Sequence, residues 1–360
     1  MKIVTVVGAR PQFVKAAALS RALRSTDGVE EVVVHTGQHH DAAMSQVFFD
    51  QLGMPPPRHH LGISGGTHGT MTGRMLEGVE RVLLGERPDL VLVYGDTNST
   101  LAGALAATKL QVPVAHVEAG LRSFDRTMPE EINRVLVDAV SSLLFCPTRA
   151  AVDHLAAEGI HRGVHHVGDV MLDVALEQAA VVESDIVDSL GLEPGRYVVC
   201  TCHRQANTDR RDPLAGILAA LTSIAAHTPV VLPLHPRTAK AIATHGLTEA
   251  LARLRVVDPL PYDAMLVLVR SAGAVLTDSG GLQKEAFFHR VPCVTLRDAT
   301  EWPETVDLGW NVLAGSDPAR IVAAFEGLDA LPKRVGAPFG DGRAAVAIAE
   351  ILARAGGPLR

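Results

Sequence analysis

Leu90-Val-Leu-Val-Tyr-Gly-Asp96-Thr-Asn-Ser-Thr100 decides how this chain is read, with Val112-Pro-Val-Ala-His-Val-Glu118-Ala-Gly-Leu-Arg122 and Met128-Pro-Glu130-Glu131-Ile-Asn-Arg134 after it. The first two segments contain short apolar runs rich in β-branched residues, the pattern of parallel strands buried on both faces. A carboxylate stands where each run ends, and a third opens a helix. Open α/β sheets bind ligands at the carboxyl ends of their strands. Asp96, Glu118 and Glu130 are therefore expected to converge on one crevice. Three acids in one place suggest proton transfer.

Working outward, 360 residues exceed one typical domain, so two are expected, each burying its own core. Hydrophobic residues make up 47% of the chain, charged residues 20% and aromatics 4%, which fits an Ala/Val/Leu-rich α/β protein and excludes a disordered one. A formal charge of -7 argues against nucleic acid or an anionic membrane as a general partner. The first apolar run, Ile3-Val-Thr-Val-Val7, is too short for a signal peptide. No stretch is long enough to span a bilayer, so a cytoplasmic location is expected. Cys200-Thr-Cys202-His203 has the look of zinc ligation, but no second cluster supplies the remaining ligands. Neither a metal nor a disulfide framework is expected.

Strands alternate with amphipathic helices from the start. Strand 2–7 leads to helix 11–24, strand 31–36, and helices around 41–52 and 70–84; strands 90–94 and 112–117 flank an Ala-rich helix 99–109. Helix 129–142 spaces Ile132, Leu136, Ala139, Val140 and Leu143 by threes and fours, with Pro129 in its first turn. A second series runs through strand 197–202, helix 212–226, strands 229–234 and 254–257, helix 262–271, strand 274–277, helix 280–288 and strand 292–296. The fold class is thus α/β, with two Rossmann-like domains facing a central cleft. The boundaries fall at 1–167 for the domain carrying the acids and 168–342 for the second. A carboxy-terminal helix within 343–360 could belong to either.

Gly8-Ala-Arg10-Pro-Gln-Phe-Val-Lys15 follows the first strand, where a glycine turn and a helix N-terminus favour an anion and Arg10 and Lys15 add two cations. Neither a Gly-x-Gly-x-x-Gly fingerprint nor a P-loop Gly-Lys-Ser/Thr is present, so nicotinamide and ATP chemistry lose ground and no cofactor is expected. In the second half, Thr277-Asp-Ser279-Gly280-Gly281-Leu-Gln-Lys-Glu285 reads as strand end, turn and helix start. The N–H groups of Ser279, Gly280 and Gly281 and the Ser279 hydroxyl suit a diphosphate, and Glu285 suits ribose hydroxyls. His203 ends another strand of that half, and His235-Pro-Arg237 is placed similarly. Each feature has a plainer reading: a solvated turn, a capped helix, a structural histidine. Together they describe a site for a nucleotide-sugar, whose diphosphate can leave without redox help.

On these residues the chain resembles the bacterial non-hydrolysing UDP-N-acetylglucosamine 2-epimerases over nearly its whole length. The matching runs are Gly8-x-Arg-Pro, Thr36-Gly-Gln-His, Gly95-Asp-Thr, His116-Val-Glu-Ala-Gly-Leu-Arg122, Pro129-Glu-Glu-x-Asn-Arg134, His203-Arg204 and Thr277-Asp-Ser-Gly-Gly-x-Gln-x-Glu285. The resemblance implies a GT-B type fold, closure on ligand, a homodimer, and interconversion of UDP-GlcNAc and UDP-ManNAc through 2-acetamidoglucal. It implies Asp96, Glu118 and Glu130 as the catalytic acids, Asp96 and Glu130 being the bases and Glu118 their organiser. It further implies Arg10, Lys15 and the catalytic-site His203 on the diphosphate, Ser279, Gly280 and Gly281 on phosphate, and Glu285 on ribose.

Departures from the family pattern bear on the substrate. Gly8-Ala-Arg-Pro-Gln12 stands for Gly-Thr-Arg-Pro-Glu, Ala206 for an acid after His203-Arg204, and Thr300-Glu-Trp302-Pro-Glu304 for a motif with arginine at its third position. Gly-Ala-Arg-Pro-Gln-Phe with Thr-Glu-Trp also resembles a branch acting on UDP-2,3-diacetamido-glucuronate. A hydrolysing epimerase releasing ManNAc and UDP, a glycosyltransferase of the same fold and a catalytically silent nucleotide-sugar sensor are the competing readings. Three strand-end acids favour an epimerase over the transferase, which needs one base, and over the sensor, which needs none.

Overall fold

A computed structural model describes residues 1–38, 54 and 56–354, without the side chain of Arg10. The helix expected around 41–52 lies outside the described residues. The chain divides into two compact units, Met1–Val174 with Ala337–Arg360, and Ala175–Gly336.

The first unit is built on seven parallel strands: β1 (Lys2–Val7), β2 (Glu30–His35), β3 (His59–His60), β4 (Leu90–Tyr94), β5 (Val114–Val117), β6 (Leu143–Cys146) and β7 (Val164–His166). They lie in the order β3-β2-β1-β4-β5-β6-β7. The helices that matter for the site are α1 (Arg10–Arg24), α2 (His68–Glu86), α3 (Asn98–Lys109), α4 (Pro129–Val140) and α5 (Arg149–Ala157). Val4 and Val6 of β1 and Val91 and Val93 of β4 form one buried cluster with Val79 and Leu83 of α2 and Ala104 and Ala107 of α3. The small alanines let α3 lie close over the sheet, which apolar strands accept because both faces are covered. The helix Ala344–Arg354 belongs to this unit and packs on α1. Its first N–H groups, at Ala344 and Ala345, donate to the Asp173 carboxylate at 3.1 and 2.7 Å.

The second unit repeats the plan with β8 (Val198–Thr201), β9 (Val230–Pro233), β10 (Arg255–Val257), β11 (Ala274–Thr277), β12 (Cys293–Thr295) and β13 (Asn311–Leu313). Their order is β10-β9-β8-β11-β12-β13, again all parallel. Helices α6 (Arg211–Ile224), α7 (Tyr262–Arg270) and α8 (Gly280–Phe288) flank it. Leu214, Ile217, Leu218 and Leu221 of α6 pack on Val198, Cys200 and Leu276, while Val267 and Leu268 of α7 pack on Val199 and Val275 from the other side.

Both sheets therefore have the doubly wound order, and in each the winding reverses between adjacent strands, β1 and β4 in one, β8 and β11 in the other. Those reversal points open the crevices in which such folds take ligands. The sequence reading differs from the structure at α4. The helix ends at Val140, and Leu143, which continues its apolar spacing, instead starts β6 between β5 and β7. A helical spacing carried one step too far because Ser141, in extended conformation, stops the helix without a glycine or proline. Strands β3, β6, β7 and β13 have two to four residues. Runs that short carry too little alternation to register as strands.

Gly8, directly after β1, shows why the first turn needs glycine: a Cβ there would overlap the Thr36 and Ser99 hydroxyls, which are bonded to each other at 2.8 Å. Gly8→Ala is expected to lower stability by about 1–3 kcal/mol, as overpacking of a tight site does, and urea denaturation against the wild type checks it.

Candidate active site

The first unit gathers its carboxylates at the carboxyl edge of the sheet. After β4, Gly95 adopts φ +61 and turns the chain toward α3, so Asp96 stands at the strand end. Its Oδ2 accepts from Arg134 Nη2 at 2.6 Å, and its carbonyl accepts from Asn133 Nδ2 at 2.8 Å. After β5, Glu118 itself takes a left-handed φ of +71. A non-glycine residue held there costs on the order of 1–3 kcal/mol, a strain that concentrates at functional sites. The turn brings the Glu118 carboxylate onto Lys15 Nζ of α1, both nearly buried. A Cβ on Gly95 would lie 3.1 Å from Glu118 Oε2 and 3.6 Å from Lys15 Nζ. The pair thus lies against the turn that carries Asp96. Lys15, expected as a cation for phosphate, has its charge taken up by Glu118 in this structure.

Glu130 and Glu131 differ sharply although they are neighbours. Glu130, in the first turn of α4, is partly buried and forms no hydrogen bond or ion pair among the described residues. It shares a helix face with Asn133 and Arg134, three and four residues on, and those two hold Asp96. Glu131 is 2% exposed. It accepts from the Ser123 and Phe124 N–H groups at 2.9 and 3.0 Å, the Ser123 hydroxyl at 3.0 Å and Arg134 Nη1 at 3.0 Å. Burial alone would raise the Glu131 pKa, but those donors outweigh it and hold the carboxyl below its usual range. Glu131 is an anchor for Arg134 and for the loop before the helix. Glu130 is the acid left available.

In the second unit the turns after β8 and β11 are joined by Asp278, which is fully buried. Its carboxylate accepts from the His203 N–H at 3.0 Å, the Arg204 N–H at 2.9 Å and Asn207 Nδ2 at 3.0 Å. Burial pushes the His203 imidazole below its ordinary pKa; Asp278 opposes this, while His235, Arg204 and Arg237 push the same way. The ring is therefore neutral at pH 7 and offers an anion a hydrogen bond rather than a full charge. Ser279 caps α8 by accepting from the Leu282 N–H at 3.4 Å, and its own N–H is engaged by the Thr277 hydroxyl at 2.9 Å. Of the backbone donors expected for a phosphate, those of Gly280 and Gly281, in the first turn of α8, have no helical partner. Glu285 lies in the same helix, near enough to the buried Tyr262 hydroxyl to help burial raise its pKa. The Arg10 side chain lies outside the described residues.

The match to the UDP-N-acetylglucosamine 2-epimerase family model covers residues 21–353. The chain belongs to that family. It is 53% identical, over 98% of its length and 100% of the relative's, to a UDP-2,3-diacetamido-2,3-dideoxy-D-glucuronate 2-epimerase of Pseudomonas aeruginosa. A UDP-N-acetylglucosamine 2-epimerase homolog of Methanococcus maripaludis is 48% identical over 98% of this chain and 99% of its own. The solved Methanocaldococcus jannaschii UDP-GlcNAc 2-epimerase, in complex with UDP-GlcNAc and UDP, superposes with a TM-score of 0.90 at 40% identity, covering 98% of this chain and 100% of its own. The epimerase is thus a carbohydrate isomerase of the non-hydrolysing type with a GT-B fold. No described helix is long and apolar enough to cross a membrane.

Sequence reading leaves several residues that hold the site's turns and acids without a role. Glu131, Asn133, Arg134 and His116 stand inside the motif runs, and Asp138 lies just beyond one of them. An acidic residue followed three positions later by arginine in a first helical turn was the available signal for Glu131 and Arg134. The arginine absent at position 302 has a structural answer too. Trp302 is buried, and the equally buried Lys284 places Nζ 3.9 Å from the centre of its indole, a cation–π contact.

Arg134→Met is expected to destabilise the epimerase by about 3–5 kcal/mol, because it removes the cation that pairs both the buried Glu131 carboxylate and Asp96; chemical denaturation measures it. His203 titrates with the opposite sign to a stabilised cation. Its folded pKa is depressed, so the stability it contributes is present above pH about 6.5 and is lost as pH falls toward the folded value. His203→Gln should flatten that part of the melting-temperature profile between pH 7 and 5.

Proposed function

We propose that this chain inverts C2 of a UDP-linked 2-acetamido sugar by eliminating UDP and adding it back. The reading rests on one observation, three carboxylates at the carboxyl edge of a single sheet: Asp96 gripped by Arg134, Glu118 paired with Lys15, and Glu130 left available beside them. A base takes the C2 proton, the C1–O bond breaks with its electron pair going to the diphosphate oxygen, and a C1–C2 double bond remains in the 2-acetamidoglucal. The C2 hydrogen is not next to a carbonyl, so it becomes acidic only as departure of UDP builds positive charge at C1. Stabilising the leaving diphosphate therefore promotes the deprotonation. Return of UDP to C1 with a proton delivered to the opposite face of C2 completes the inversion, which requires acid/base groups on both faces.

In this reading Asp96 and Glu130 are the two bases, and Glu118, held by Lys15, organises them. The domain spanning 1–167 supplies these acids. The domain spanning 168–342 holds UDP through His203, the N–H groups of Gly280 and Gly281, the Ser279 hydroxyl and Glu285, with Arg10 on the diphosphate. The protein is read as a cytoplasmic homodimer.

For the sugar, identity is the best guide. The chain is 53% identical to the Pseudomonas aeruginosa enzyme for the 2,3-diacetamido uronate, against 48% for the Methanococcus maripaludis UDP-N-acetylglucosamine 2-epimerase homolog and 40% for the Methanocaldococcus jannaschii enzyme named for UDP-GlcNAc. UDP-2,3-diacetamido-2,3-dideoxy-D-glucuronate is accordingly the substrate proposed. UDP-GlcNAc is the second reading, supported by the backbone match to the UDP-GlcNAc complex.

Incubation with each UDP-sugar in heavy water, followed by NMR, tests both levels. Deuterium should enter at C2, with the manno epimer formed and UDP not released in bulk. The uronate should show a kcat/KM at least about tenfold above that of UDP-GlcNAc, a difference that recognition of added polar groups readily supplies. The C2 proton signal persisting with both sugars would end the proposal. Asp96→Asn, Glu118→Gln and Glu130→Gln should each lower kcat by about 100- to 10,000-fold with UDP affinity retained, the range for losing a positioned acid or base.

A further inference from the structure

His116 and Asp138 are both buried, and nothing in the reaction outlined above uses them. His116 Nε2 faces the Gly95 carbonyl at 2.7 Å, and Nδ1 faces Asp138 Oδ1 at 2.7 Å. Burial would raise the Asp138 pKa, but His116 and Arg122 outweigh it and hold the carboxyl ionised. The ring thus bridges the Gly95 carbonyl and the Asp138 carboxylate, one nitrogen to each. The other oxygen of Asp138 accepts from the Gly120 N–H at 3.1 Å and from Arg122 Nη1 at 2.7 Å. Gly95 directly precedes Asp96, and Gly120 follows Glu118 by two residues. One carboxylate therefore holds both acid-bearing turns, the first through an imidazole and the second directly.

We propose that Asp138 and His116 are positioning residues that set the placement of Asp96 and Glu118, by fixing the Gly95 carbonyl and the Gly120 N–H to one buried point. The inference rests on the epimerase reading of this site. Both turns run through left-handed backbone, Gly95 at φ +61, Glu118 at +71 and Gly120 at +79. Such conformations persist only where the surroundings over-determine them. Cutting the link leaves the polypeptide its two sheets and its cores, but lets the turns relax. Asp138 lies on α4, the helix that starts with Glu130 and grips Asp96 through Asn133 and Arg134. The same helix thus sets the places of all three carboxylates.

Two substitutions cut the link at different points. His116→Asn keeps an amide near Asp138 but is too short to reach the Gly95 carbonyl. His116→Gln can place its amide toward Gly95 but loses the ring's rigid second contact. Each is assayed in the full-length protein for C2 deuterium exchange, kcat, KM and UDP affinity by calorimetry, beside Asp138→Asn. Misplacing reacting groups by about an ångström costs on the order of 100-fold. The expected result is therefore a loss of about 10- to 100-fold in kcat and in exchange, with KM and UDP affinity within about twofold of wild type. His116→Gln should retain more activity than His116→Asn. Wild-type kcat in both His116 variants would overturn the proposal, as would UDP affinity falling in step with kcat, the mark of general damage. If Asp138→Asn does not fold, the His116 pair still decides. Wild-type protein that fails to exchange C2 with either UDP-sugar overturns the parent reading instead.

Discussion

Glu131, Arg134 and Asp138 of α4 are buried charges, and each is tolerated because an opposite charge or a backbone dipole meets it. An unpaired ion in such a place would cost several kcal/mol, so the pairings leave little freedom in how α4 sits on the sheet. Arg134 joins Glu131 to Asp96, and Asp138 joins His116 to Arg122. The outer end of that second chain reaches Glu158 after α5, which takes Arg122 Nε and Nη2 at 2.7 Å. The position of the helix, and of Glu130 at its start, follows from electrostatics more than from apolar burial, since Ile132 and Leu136 are exposed and the helix buries Val137 beside its charged and polar residues.

The two units prepare for charge in different ways. The first places full charges against one another, so Asp96 and Glu118 lie next to cations, Arg134 and Lys15, that limit where they point. The second uses partial charges: the first-turn N–H groups of α8, a neutral imidazole, and a buried Asp278 whose partners are mostly backbone N–H groups. Free N–H groups at a helix start favour an anion. Proton transfer suits carboxylates whose geometry is fixed beforehand. The second unit also buries one full cation, Lys284, whose Nζ lies over the face of Trp302.

Much of this was legible in the residues. The apolar runs at 90–94, 112–117 and 274–277, and the turns that end them, placed Asp96, Glu118, Ser279 and Gly280 at strand ends, because period and strand-end chemistry are local. The motif runs pointed to the family that the comparisons bear out. The pairing of Lys15 with Glu118 was not legible, because a lone lysine after a glycine turn gives no hint of a carboxylate 103 residues away. Leu143 was placed in a helix because helical spacing does not report where a neighbouring strand requires the chain to extend.

Local sequence was enough to settle the alternation of strands and helices, the doubly wound class and the placement of Asp96 and Glu118 at strand ends, since each depends on residues within a turn or two of one another. Tertiary structure decided which of two adjacent glutamates is an anchor and which is available. It also decided that Lys15 serves Glu118, and that Asp138 ties two distant turns together. Those outcomes turn on burial and on partners far apart in the chain, and the energy of a buried charge is fixed by what surrounds it in space rather than by what precedes it in sequence.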